Sequence, residues 1–187
     1  MNDFYIALGA NLPMGESSPS DTLNAAIAEF GQRNMAIQAV SPFYRTPCFP
    51  AGAGPDYINA AAHLKSTLTS KDMLVHLHEI EAKHGRERLE RWGMRTLDLD
   101  LVACGDSVLP DLATFERWRT LPAETQRQAA PTELILPHPR LQDRAFVLVP
   151  LRDIAADWQH PVLKMTVAEM CNALAPDVLA EIVALEA

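Results

Sequence analysis

Leu97-Asp98-Leu99-Asp100-Leu101 alternates apolar and acidic residues over five positions. Side chains two apart on an extended strand point to the same face, so the leucines go to one side and both carboxylates to the other. Extended to Cys104, the run predicts a strand over 97–104 with its leucines in a core. Like charges about 7 Å apart repel by roughly 2 kcal/mol at an effective dielectric near 20, a cost that a shared divalent cation reverses. Two readings stand: the solvated polar face of an amphipathic strand, or a magnesium site built from Asp98 and Asp100.

Moving outward, Phe4 to Leu8 is a short apolar run that leaves through Gly9-Ala10-Asn11, a strand followed by a turn. Leu23, Ile27 and Phe30 recur at helical spacing, with Ser20 or Asp21 as the opening cap and an end near 31–34. Residues 37–46 and 57–67 suit a pleated surface, and the Pro- and Gly-broken stretch 47–55 between them predicts a long exposed loop. Ser70 opens a second helix whose buried stripe is Leu74, Leu77 and Ile80, running to about His84 before Gly85. The order strand, helix, strand, strand, helix, strand predicts an α+β fold: a ferredoxin-like α/β sandwich with a mainly antiparallel sheet and helices packed on it. Residues 105–136 have no clean period and carry Pro110, Pro122 and Pro131, which predicts an irregular insertion with a short helix near Phe115. Helices over 144–156 and 167–174 close the fold in a C-terminal region spanning 144–187, giving one domain over 1–187.

Lysine and arginine total 16 against 24 aspartates and glutamates, a formal charge of −8 over 187 residues. A field of that sign argues against general attraction to nucleic acid or an anionic membrane, so a phosphate site has to be locally basic. With 48% hydrophobic residues the chain has material for a core, which excludes the disordered class. Cys48, Cys104 and Cys171 are odd in number and lack C-x-x-C spacing, which fits a reducing, cytoplasmic setting. The first residues predict neither a signal peptide nor a membrane span.

Arg86, Arg88, Arg91 and Arg95 lie within ten positions, directly before the two aspartates. Guanidinium forks match phosphate oxygens and tolerate partial burial; a solvated charge run with Glu87 and Glu90 as partners is the other reading. Joined to carboxylates on one face, the cluster reads as a magnesium and polyphosphate site. No G-x-x-x-x-G-K-[ST] occurs, which excludes a P-loop enzyme. His76 and His78 are two apart on a predicted helix and share no face, so they are assigned no metal.

Ala7-Leu8-Gly9-Ala10-Asn11-Leu12, Phe43-Tyr44-Arg45-Thr46-Pro47, Pro55-Asp56-Tyr57-Ile58-Asn59-Ala60-Ala61 and Arg91-Trp92-Gly93-Met94-Arg95-Thr96-Leu97-Asp98-Leu99-Asp100 closely resemble the 6-hydroxymethyl-7,8-dihydropterin pyrophosphokinase family. Pro137-His138-Pro139-Arg140 and Arg144-Ala145-Phe146 continue the series in order. The resemblance implies a folate-pathway enzyme that moves the β,γ-diphosphate of ATP to the hydroxymethyl group of a reduced pterin. It implies Asp98 and Asp100 as ligands of two magnesium ions, Arg86 and Arg95 as catalytic arginines, and Arg88, Trp92, His138 and Arg144 near ATP. It implies a pterin held between Tyr57 and Phe146, walled by Trp92, with Asn59 and the backbone around Thr46, Pro47 and Phe49 reading its edge. Asn11 and Glu81 are implied as supports behind these, Glu81 by orienting an arginine. A monomer with no nucleic-acid or membrane partner is the family expectation. A magnesium-dependent nucleoside triphosphate hydrolase and a non-catalytic ferredoxin-like ligand-binding module remain as alternatives.

Overall fold

The computed structural model describes residues 1–48, 52, 54–85, 95–122, 125 and 131–186. In chain order its elements are β1 (Asn2–Ala10), α1 (Pro19–Gln32), β2 (Ala36–Val40), β3 (Tyr44–Thr46), β4 (Tyr57–Ser66), α2 (Ser70–Lys83), β5 (Asp98–Cys104), α3 (Leu112–Thr120), α4 (Ala145–Ala155), α5 (Val167–Asn172), α6 (Pro176–Ala180) and β6 (Val183–Ala184). The sheet order is β5-β1-β4-β3-β6, with β2 also on β4. Each strand pairing is antiparallel, as the ordering of elements predicts.

β1 is central because both its faces are apolar. Phe4, Ile6, Leu8 and Ala10 enter one core, while Tyr5 and Ala7 enter another. The first core is completed by Leu23 and Phe30 of α1 and by Met73, Leu77 and Ile80 of α2. The second is completed by Val147, Leu148 and Leu151 of α4 and Val167, Met170 and Cys171 of α5. The sheet is therefore covered on both sides, helix pair against sheet against helix pair. Leu97, Leu99 and Leu101 are buried in the first core, which leaves Asp98 and Asp100 on the opposite face at the open end of the sheet. Ile6 faces Leu101 and Tyr5 faces Ala103, so Val102 is the extra residue of a bulge and turns into the second core.

Several sequence expectations are corrected. The strand expected over 37–46 is two strands, β2 and β3. Between them Ser41 exchanges hydrogen bonds with Ala61, its N–H donating to the carbonyl and its Oγ accepting from the N–H, and Pro42 has no N–H for the ladder. The cap of α1 is Ser18 rather than Ser20 or Asp21: Ser18 Oγ accepts the Asp21 N–H, Asp21 reaches back to the Ser18 N–H, and Pro19 takes the first turn. α2 is capped by Thr69, whose hydroxyl accepts the Asp72 N–H, rather than by Ser70. The insertion does carry the expected helix near Phe115, and its base is fastened by Leu109 and Leu136, which exchange backbone hydrogen bonds of 2.8 and 3.1 Å. α6 and β6 are additional elements; β6 completes the sheet against Tyr44 and Arg45. Among the described residues no helix is long and apolar enough to cross a membrane.

Candidate active site

The two acids open β5 beside β1, with Asp98 opposite Gly9 and Asp100 opposite Ala7. Each is met by an arginine: Arg95 pairs with Asp98, and Arg144 Nη1 donates to Asp100 Oδ2 at 3.2 Å. Arg144 is supplied by the helix layer on the acids' own face of the sheet, as the residue that opens α4. Between the acids, the Leu99 N–H donates to Glu81 Oε1 at 2.8 Å. Glu81 is buried near the end of α2, so a carboxylate from the helix layer grips the backbone of the acidic strand. Both residues are buried, so the bond is shielded from competing solvent. The contact the structure describes for Glu81 is therefore to backbone, a role its place in the sequence does not suggest.

Asn59 lies across β1 on the same face, opposite Gly9 in the β1–β4 register. Its Nδ2 donates to Thr46 Oγ1 at 2.8 Å, and both residues are buried. A Cβ added to Gly9 would stand 3.0 Å from Asn59 Oδ1, close enough to force the amide to give way by a few tenths of an ångström. Gly9 thus adjoins both Asp98 and Asn59, a packing role hidden in sequence behind its reading as a turn residue. Tyr57 is half-buried opposite Thr46. Burial raises the Tyr57 phenol above its ordinary pKa, with Cys48 and Asp98 adding to this and Arg95 opposing it. Tyr44, opposite Asn59, donates its hydroxyl to Asp153 Oδ2 at 2.6 Å and is pushed up to about 12 by burial and by that carboxylate. It is a strut between β3 and α4.

Phe146 stands in the first turn of α4, 40% exposed, with the Arg144 guanidinium carbon 5.7 Å from its ring centre. Pro47 is exposed at the end of β3. Asn11 is buried and ties three segments: Nδ2 donates to Pro55 O at 3.2 Å, Oδ1 accepts the Arg95 N–H at 2.9 Å, and its own N–H donates to Arg95 O at 3.0 Å. The expected supporting position of Asn11 is thereby occupied by a clamp between the 47–56 loop and Arg95. His138 donates its backbone N–H to Val102 O at 2.7 Å and accepts the Arg140 N–H on Nδ1 at 3.1 Å. Burial first, then Arg144 and Arg140, hold its ring well below the usual imidazole range, so it is neutral at pH 7 with the proton on Nε2. His138, Asp100, Leu141, Arg144, Val102 and Val147 line one small depression beside the acids.

Arg86, Arg88, Trp92 and Phe49 lie outside the described residues. Among the described residues no group of three or more His, Cys, Asp or Glu side chains could hold a metal ion. His76 Nδ1 stands 3.4 Å from Glu79 Oε2, which also meets Arg33. Asp98 and Asp100, two carboxylates on one face with partial exposure, suit a hard divalent ion that takes its remaining ligands from phosphate and water.

The model of the 7,8-dihydro-6-hydroxymethylpterin-pyrophosphokinase (HPPK) family matches residues 5–156. A 2-amino-4-hydroxy-6-hydroxymethyldihydropteridine pyrophosphokinase of Synechocystis is 36% identical over 177 residues, covering 91% of this chain and 78% of the relative. The enzyme of the same name from Haemophilus influenzae is 36% identical over 158 residues, covering 84% of each. Among solved structures, wild-type HPPK-DHPS of Plasmodium falciparum superposes with a TM-score of 0.65 at 15% identity over 91% of this chain. The chain spans 40% of that longer protein, and the likeness bears on the fold alone. With the family model covering most of its length and relatives above a third identical, the chain belongs to the HPPK family.

Proposed function

We propose that the protein transfers the β,γ-diphosphate of ATP to the hydroxymethyl group of 6-hydroxymethyl-7,8-dihydropterin, releasing AMP, as an enzyme of folate biosynthesis. The observation that carries this reading is one sheet face with two acids, Asp98 and Asp100, each met by an arginine at one side of Gly9, and the hydrogen-bonded Asn59 and Thr46 at the other. The pterin oxygen attacks the β-phosphorus, the bond from that phosphorus to the α,β-bridging oxygen breaks, and AMP leaves with the electron pair. The hydroxyl proton is released as the new phosphate ester forms. Such a transfer needs alignment and charge compensation more than covalent chemistry from the protein.

Asp98 and Asp100 would hold magnesium, two ions by family resemblance. Bound there, the metal would neutralise the triphosphate and make the β-phosphorus more electrophilic. Arg95, with Arg86, offsets charge that develops on the transferring group, and Arg144 and Arg88 bind the triphosphate. Neutral His138 offers an Nε2–H donor beside Asp100 and can approach a phosphate or ribose oxygen without adding charge. Tyr57, whose raised pKa keeps it un-ionised, acts as an aromatic surface with Phe146 and Trp92 and not as a base. The Asn59 amide, held by Thr46, reads the pterin edge, with the backbone at Pro47 and Phe49 completing it. Residues 1–187 act as one cytoplasmic, monomeric domain; the three free cysteines suit a reducing compartment, and no nucleic-acid or membrane partner is needed.

Incubation with ATP, magnesium and the reduced pterin is expected to yield AMP and the pterin diphosphate in equal amounts. ADP as the nucleotide product rejects diphosphate transfer. Hydrolysis indifferent to pterin supports the phosphohydrolase alternative, which leaves the Gly9, Asn59 and Thr46 arrangement without a purpose.

A further inference from the structure

Away from the candidate site, a buried hydrogen-bonded pair joins α1 to the last turn of α2. Glu29 is 7% exposed and His84 6% exposed, and His84 Nε2 donates to Glu29 Oε1 at 2.9 Å. Lys83 Nζ lies 3.0 Å from the same oxygen, and Arg33 Nη2 is 3.8 Å from the other. Burial alone would raise the Glu29 carboxyl, but the hydrogen bonds from Lys83 and His84 outweigh it and hold it below its ordinary value. An acid removed this far from water is costly unless paired, and a helix contact made of leucines would serve packing alone as well. The location of the pair is what gives it meaning.

His84 caps the end of α2, and Gly85 follows at φ +77, so the helix stops there. The last turn of α2 is held from the other side by Glu81, which grips the Leu99 N–H between the two site acids at 2.8 Å. The returning end of the arginine-bearing stretch meets the same spot: a Cβ on Gly85 would lie 3.9 Å from Thr96 Oγ1. The end of α2 is thus a junction between α1, the acidic strand and Thr96 just ahead of that strand.

We propose that Glu29 and His84 are positioning residues for diphosphate transfer, fixing the last turn of α2, and with it the Glu81 carboxyl that holds the Leu99 N–H, relative to Asp98 and Asp100. Neither touches substrate; they act through the junction, and the inference rests on the activity proposed above. A displacement of about 1 Å in a group that offsets charge at the reacting phosphate is enough to lower turnover up to ~100-fold.

The test measures kcat and pterin KM for Glu29→Ala, His84→Ala, the double variant and His84→Gln, each at a temperature well below its own Tm. Loss of about 10-fold in kcat is expected in either alanine variant, with pterin KM within about twofold of wild type. The double variant should be no worse than Glu29→Ala, because that variant already removes the contact His84 makes. His84→Gln retains an N–H donor for Glu29 and is expected to keep kcat within about threefold of wild type. Should Glu29→Ala fail to fold, Glu29→Gln removes the charge at constant shape and is expected to show a smaller loss of the same kind. Wild-type kcat in folded alanine variants, or a change confined to KM, overturns the inference and leaves the activity standing. Wild-type protein that releases no AMP overturns both.

Discussion

Gly9 shows how much of the site depends on an atom that is not there. It separates the acid pair from Asn59, and a methyl group at that position would press on the Asn59 carbonyl oxygen at 3.0 Å. Gly9→Ala should therefore displace the amide and raise the pterin KM about tenfold, equivalent to about 1.4 kcal/mol, with a smaller effect on kcat; steady-state kinetics checks this. Asp98→Ala and Asp100→Ala belong to a different class. Each removes a proposed metal ligand from a partly exposed position, so turnover should fall at least ~100-fold while thermal melting changes little. Turnover at wild-type rate with saturating magnesium would count against the metal assignment.

Among the elements, α3 has the clearest energetic role. Phe115 is fully buried, its ring centre 5.7 Å from that of His160, so one side chain pins the insertion to the C-terminal segment. Phe115→Ala should cost about 3–5 kcal/mol, measured by urea unfolding, and should speed hydrogen exchange at the Leu109 and Leu136 amides. The helix around Phe115 was legible in sequence; its anchorage was not, because its partner lies 45 positions further on and no local period reports a distant contact. The same limit explains the other departures. Leucine alternation over 97–101 announces β5 and its two faces, since a strand writes its burial into every second residue. Ser18 and Thr69 lost out as expected caps to Ser20, Asp21 and Ser70 because several capping residues cluster at each start and only geometry chooses among them. β6 is two residues long and exists through its pairing with β3, which no propensity foretells. At the site, motif order pointed to Asp98, Asp100, Asn59 and Tyr57, whereas the Glu81 grip on a backbone N–H carries no signature beyond an acid near a helix end.

For the molecule as a whole, pH should act through the helix layer on the second face. His160 is fully buried, its Nδ1 accepts the N–H groups of Val162 and Leu163, both at 3.2 Å, and burial, with Arg119 adding to it, depresses its pKa to about 4. A free imidazole titrates near 6.5, so the unfolded chain takes up the proton first as pH falls. The stability contributed by neutral His160 is complete above pH ~6.5 and drains away down to pH ~4, on the order of 2 kcal/mol once solvent screening is allowed for. In a chain of this size that is about 4–8 °C in Tm. Calorimetry across this range should show the decline, and His160→Gln, which cannot ionise, should flatten that part of it.

The grip of Glu81 on Leu99 has one more consequence. The strand bearing the acid pair cannot roll about its own axis without breaking a hydrogen bond between two buried residues, so the aim of Asp98 and Asp100 is settled when the polypeptide folds and is not left to whatever later arrives.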